Sequence, residues 1–182
     1  MKNISDAELV KRTLKDSKNY RPLVERYEKR LLYYVKNMVY VNEEDAQDIV
    51  QEAFIKGYRN LNSYNPKYKF SSWIYRITHN EAVSFLRKNK NRKFEIANDP
   101  EKSIFDTIAS GLDLEKEYIK REGKGDLESA LGKLDSRYRE VMVLKFVEGM
   151  EYNEIADILH IPSGTIGSLI SRAKVKLKEL LK

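Results

Sequence analysis

Apolar residues recur in steps of three and four along this chain, and nowhere do they sustain the alternation of a half-buried strand. That period belongs to the α-helix, so the expected fold class is all-α. Helices are expected over Asp6–Lys15, Tyr20–Val41, Glu43–Asn60, Phe70–Asn89, Asp126–Leu134, Ser136–Glu148, Tyr152–Leu159 and Ser163–Leu181. Breakers fall between them: Asn65-Pro66, Asp99-Pro100, Gly123 with Gly125, Gly149 and Ile161-Pro162. No repeat of fixed period is present, and "GKGD" lacks the spacing of a phosphate loop.

With 182 residues and 41% hydrophobic content, two small cores suit the chain better than one large one. The charge is partitioned the same way. Residues 1–95 carry net +8, residues 96–122 net −3 and residues 123–182 net +1. The reading is two small helical domains, over 1–95 and 123–182, joined by an irregular acidic linker over 96–122. The overall charge of +6 favours an anionic partner such as nucleic acid.

The absence of cysteine excludes disulfides, zinc thiolates and thiol catalysis. The two histidines, His79 and His160, lie in separate segments and make a histidine metal site unexpected. Asp45, Asp48 and Glu52 lie on one solvated helix without a second set of ligands, so no divalent-ion site is expected there either. No cofactor and no enzymatic activity are expected. No apolar run approaches ~18 residues, and the N-terminus lacks a signal-peptide core, so a cytoplasmic protein without membrane insertion is the default.

The stretch "EYNEIADILHIPSGTIGSLISRAKVKLKEL" carries a helix-turn-helix pattern. A short helix places Ile155, Ala156 and Leu159 on one side, with small Ala156 permitting a close crossing. A tight turn follows from His160 to Ser163. The second helix then has Ile166, Leu169, Ile170, Ala173, Leu177 and Leu180 on one stripe. Its opposite face offers Gly167, Ser168, Ser171, Lys174, Val175 and Lys178, with Arg172 at the edge. Small polar residues near the N-terminal end permit approach to base edges, and cations further along suit phosphates. A plain helical hairpin is the alternative.

In "EEDAQDIVQEAFIKGYRNL", Ile49, Val50, Ala53, Phe54, Gly57 and Leu61 share one helical side. Asp45, Asp48, Gln51, Glu52 and Arg59 share the other, and Ile55 sits among the acids. That face suits docking on a basic helical partner, although solvated charged faces and single exposed apolar residues are ordinary. In "LNSYNPKYKFSSW", the rings of Tyr64, Tyr68, Trp73 and Tyr75 gather near Lys67 and Lys69. Rings stack on bases while cations track phosphates, and Asn62, Asn65 and Asn80 can bond base edges. The same rings can equally cap a small helical core. Phe70, Trp73, Ile74, Ile77 and Phe85 form the helix's apolar stripe.

Three segments in this order, "DAQDIVQEAFIKGYRNL", "FSSWIYRITHNEAVSFLRK" and "EIADILHIPSGTIGSLISRAK", resemble bacterial RNA polymerase sigma factors of the extracytoplasmic-function (ECF) group of the sigma-70 family. The resemblance implies a region 2 helical bundle over 1–95, a linker that threads polymerase channels, and a region 4 helix-turn-helix over 123–182. It implies promoter recognition, with core RNA polymerase (its β′ coiled coil and β subunit) and promoter DNA as partners. An anti-sigma factor is a further candidate partner. Polymerase docking would fall to Asp45, Asp48, Gln51, Glu52 and Ile55. Minus-ten opening would fall to Asn62, Tyr64, Lys69, Trp73, Arg76, Asn80, Arg87 and Lys88, with Tyr64, Trp73 and Asn80 trapping a flipped base. Minus-thirty-five contacts would fall to Ser163, Thr165, Gly167, Ser168, Ser171, Arg172 and Lys174. The chain departs from the family at Gly167 and Leu169, where basic residues are common. Two other readings stay open: a free-standing helix-turn-helix transcription regulator, and a sigma-like polymerase-binding protein that does not read promoters.

Overall fold

The computed structural model describes residues 4–39, 41–89 and 129–181. The chain divides into two compact units, Met1–Ile96 and Ala97–Lys182. The acidic linker read over 96–122 lies outside the described residues. Among those residues every regular element is helical, and no helix is long and apolar enough to cross a membrane.

The first unit opens with α1 (Asp6–Thr13), whose Glu8 N–H donates to the Ser5 hydroxyl at 3.3 Å. The helix stops two residues short of the expected Lys15. There the N–H groups of Lys15 and Asp16 both turn back to the Arg12 carbonyl, and Asp16 then caps a 3-10 turn over Ser17–Tyr20. α2 (Arg21–Val39) follows directly. α3 (Glu43–Arg59) is capped by Asn42, whose side-chain oxygen accepts the Asp45 N–H at 2.7 Å. Glu43, Glu44 and Asp45 in its first turn complement the helix dipole. A 3-10 turn, Leu61–Ser63, leads through a short loop to α4 (Phe70–Lys88).

α2, α3 and α4 pack on one another around a single core. Leu23, Leu31, Tyr34 and Val35 meet Ala46, Ile49, Val50 and Ala53 there, together with Phe70, Ile74, Tyr75 and Ala82. Arg26 and Tyr27 both bond the Asp6 carboxylate and pin α1 to α2. Tyr20 donates its hydroxyl to the Phe54 carbonyl at 2.9 Å, tying the 3-10 turn to α3.

The second unit begins, among the described residues, with helical residues 129–133. α5 (Ser136–Met142) is capped by Asp135 and runs into a π-helical turn, Val143–Val147, where the sequence pattern predicts a continuous helix to Glu148. α6 (Tyr152–Leu159) and α7 (Ser163–Leu180) complete it. At its centre lies Arg139, 1% exposed. Its guanidinium donates to the carbonyls of Leu131 at 2.8 Å, Gly132 at 3.0 Å and Leu134 at 2.6 Å. These carbonyls lie at the end of helical residues 129–133, where the Leu131 carbonyl also accepts the Leu134 N–H at 3.1 Å. A planar, always-charged fork suits three divergent acceptors.

Replacing Arg139 with Met should therefore remove three hydrogen bonds at the centre of the unit. The expected cost is about 3 kcal/mol, read from denaturant melting, and Arg139→Lys should recover only part of it.

Burial holds the Tyr20 phenol well above its ordinary value of 10.0, and burial with the Asp6 hydrogen bond does the same for Tyr27. The unfolded chain ionises first. The stability these groups contribute is complete below pH 10 and is lost as the pH rises beyond it. Tyr20→Phe should cost about 1 kcal/mol at neutral pH and flatten the alkaline loss. Melting curves across pH 8–12, a range spanning the ordinary phenol value, check both effects.

Candidate functional site

The outward face of α3 presents Asp48, Gln51 and Ile55 to solvent, with Glu52 half-buried beside Lys56 at 3.8 Å. Ile55 is 40% exposed. Asp45 does not share this face: it is 8% exposed and points into the unit. It lies one turn before Ile49, on the core side of the helix, so its expected place among the docking acids is corrected. An open groove of about 800 Å³ runs between α2 and α3. Val24 and Leu32 line it from α2, and Asp48, Gln51, Ile55 and Tyr58 from α3. Tyr58, 45% exposed, escaped the sequence reading, although it lies one turn after Ile55. On the other side of α3, Lys56 donates to Glu81 of α4 at 2.5 Å, which raises the lysine's pKa.

The loop before α4 is built on aromatic packing. Tyr64, Phe70 and Trp73 pack edge-on or tilted against one another with centroids 5.5–5.7 Å apart, and Tyr27 adjoins Phe70 at 5.5 Å. Tyr64 and Trp73 are each only 9% exposed, and Tyr75 is fully buried against Tyr34. Tyr64 and Trp73, expected to trap a flipped base, are thus largely enclosed in this cluster and meet at 59°. Tyr68 is the ring that stands out, 68% exposed. Asn62 and Lys69 are exposed. Along α4, Arg76, Asn80, Val83 and Arg87 recur at helical spacing on the solvent side, and Lys88 is exposed next to Arg87.

In the second unit, α6, a turn and α7 form the expected helix-turn-helix. His160 ends α6 in the left-handed conformation, φ 54°, and its N–H returns to the Ala156 carbonyl. Ile155 and Ile158 are the buried pair of α6. Ala156 and Leu159, expected inside, are half-buried. The small residue enclosed in the α7 core is Ala173, beside Ile166, Leu169, Ile170 and Leu177. Leu180, expected on this stripe, is 41% exposed. Leu169 belongs to the core and so offers nothing to DNA.

Ser163, Thr165, Ser168, Ser171 and Arg172 are exposed on α7, and Gly167 is partly so. Lys174 lies with its ammonium 5.0 Å from the Phe146 ring centroid. Pro162 precedes α7 without a side-chain cap, and the Thr165 N–H returns to the Pro162 carbonyl at 2.9 Å.

A helix-turn-helix in one unit, with a cation-bearing helix beside an acidic, apolar-centred groove in the other, defines a nucleic-acid-binding protein that also docks on protein. The comparisons narrow that class. Residues 23–92 match the family Sigma-70 region 2, and residues 124–177 match Sigma-70, region 4. The chain is 31% identical to ECF RNA polymerase sigma factor SigW of Bacillus subtilis, over 96% of this chain and 97% of that one. It is 33% identical to the ECF RNA polymerase sigma-E factor of Escherichia coli K12, over 94% and 91%. Among solved structures, CnrH, in complex with the cytosolic domain of CnrY, aligns with TM-score 0.67 at 26% identity, over 97% and 96% of the two chains. Sigma factor RpoE of Bartonella quintana, solved with the anti-sigma factor NepR, shares the fold with TM-score 0.68 at 24% identity, over 90% and 97%. The chain belongs to the ECF sigma factors of the sigma-70 family. It is a transcription initiation factor that directs RNA polymerase to promoters.

Gly167 has room around it. A Cβ there would meet only Tyr152 Cε2, at an ordinary 3.6 Å. Gly167→Ala should therefore stabilise the second unit by about 1 kcal/mol, measured by denaturant melting.

Proposed function

We propose that residues 1–95 dock the polymerase and open the minus-ten element, that 96–122 link, and that 123–182 read the minus-thirty-five element. The groove between α2 and α3 supports the docking role more than any other observation. It combines apolar Val24, Leu32 and Ile55 with Glu28 and Asp48, next to Arg59, which suits an amphipathic helix with basic residues from the polymerase largest subunit. Asp48, Gln51, Glu52 and Ile55 make that contact, with Tyr58 at its end. Asp45 acts beneath it, bracing the start of α3.

The opposite charge stands on α4. Arg76, Arg87 and Lys88 hold phosphates, and Asn80, Asn62 and Lys69 lie nearer the unpaired bases. Tyr64 and Trp73 support the loop from below. Because phosphate contacts release counterions, promoter binding weakens steeply with salt. On α7, Ser163, Thr165 and the helix N-terminus approach the DNA backbone, while Gly167, Ser168 and Ser171 face base edges. Arg172 and Lys174 bind phosphates, Lys174 by leaving Phe146.

The chain works in the cytoplasm beside the polymerase and makes or breaks no bond itself. A second protein chain that covers these surfaces, as the cytosolic domain of CnrY accompanies CnrH, would act as its regulator.

The deciding experiment is transcription in vitro with bacterial core polymerase and pooled genomic fragments, followed by sequencing of the 5′ ends. Defined starts with a shared upstream motif, absent with core alone, are expected. Stable core binding without defined starts would overturn the promoter-reading role. Two variants divide the labour. Asp48→Arg should lower core affinity at least about 10-fold, reversing a charge at the rim. Arg76→Ala with Arg87→Ala should leave core affinity unchanged and reduce promoter opening. Equal defects in both assays would refute the division.

A further inference from the structure

Glu81 is the only acidic residue of α4, a helix whose exposed cations are Arg76, Arg87 and Lys88. It is not left bare. Lys56 reaches it from α3 at 2.5 Å, and the Glu81 side chain is only 14% exposed. The same ammonium lies 3.8 Å from Glu52, one turn earlier on α3. Lys56 thus stands between an acid of the proposed docking face and the one acid of the proposed DNA helix. The next residue is Gly57, where α4 approaches α3 closely. Bonding to Glu81 raises the lysine's pKa, so the ammonium stays charged at neutral pH.

A partly exposed ion pair of this kind contributes little to folding. Its effect on partners is larger, because it decides the sign of charge that each face presents. A bare Glu81 carboxylate would lie on the side of α4 that also carries Lys88, seven residues on and about 10 Å along the axis. From there it would repel the phosphates that Lys88 is proposed to hold. The Lys56 ammonium has the opposite effect on α3, where it repels a basic helix arriving at Glu52. We propose that Lys56 is a positioning residue for promoter recognition: by pairing with Glu81 it keeps α4 uniformly cationic toward DNA, and by lying beside Glu52 it holds polymerase docking below its maximum. Lys56 acts on the phosphates through Glu81 and not by contact. This inference rests on the docking and phosphate-binding roles proposed above.

The test uses the full chain with core polymerase, on a promoter fragment identified from the mapped 5′ ends. Promoter affinity of the assembled complex is measured at low and high salt, and core affinity separately by titration. Lys56→Met should weaken promoter binding about 2- to 5-fold at low salt and less at high salt, as one unit charge near 10 Å would. The same variant should bind core about 2-fold more tightly, since an acid of the docking face loses a neighbouring cation. Adding Glu81→Gln to Lys56→Met should restore promoter binding and leave the gain in core affinity. Glu81→Gln alone removes the acid without unpairing a buried carboxylate, and should bind promoter at least as tightly as wild type. Lys56→Arg keeps the charge and should recover wild-type binding. A loss of packing would lower both affinities of Lys56→Met independently of salt, and that result would overturn the proposal. So would normal promoter binding by Lys56→Met, a defect that Glu81→Gln does not relieve, or weaker promoter binding by Glu81→Gln alone. A wild-type chain that binds core yet no promoter would refute the DNA role of the first unit itself, and the role of Lys56 with it.

Discussion

The first unit depends on how closely α3 and α4 meet at Gly57. A Cβ at this position would lie 3.0 Å from Ile74 Cδ1 and 3.1 Å from the Tyr20 hydroxyl. Without a side chain there, α4 settles against α3 and the Tyr20 hydroxyl still reaches the Phe54 carbonyl. A glycine within a helix costs about 1 kcal/mol relative to alanine. Here that cost is offset by contacts that a larger residue would push apart. Two helices joined back to back must present their other faces outward. One of those faces is acidic with an apolar centre, and the other is cationic.

Charge is sorted accordingly. Glu43 bonds Lys36 and Lys56 bonds Glu81, so charges near the helix contacts are matched. What remains outward on α3 is acid and amide around Ile55; what remains outward on α4 is mostly cation. Opposite charge on the two helices is what the docking and DNA-opening roles proposed above for this unit would use. Exposed pairs of this kind add little stability, so their arrangement matters more for partners than for folding.

The second unit relies on a different device. Arg139 gathers the end of one helical segment onto α5, and α7 then packs across α5 and α6. The sequence reading did not single out this arginine. Among ten cationic residues in this part of the chain, nothing in its spacing marks it as buried. The π-helical turn after α5 was equally unmarked, because a pattern with one inserted residue looks like helix on both sides.

The order of the helices, the limits of those other than α5 to within two residues where described, and the helix-turn-helix were determined by the sequence alone, the expected start at Asp126 lying outside the described residues. The reason is that periodicity, caps and breakers act over a few neighbouring residues. Exposure was decided by the tertiary structure. Tyr64, Tyr68 and Trp73 carry similar rings within ten positions, yet two are covered and one is bare. Asp45 turns inward while Asp48, three residues on, stays in solvent. Whether a side chain is free to meet a partner depends on what distant segments lay across it, and no local pattern records that.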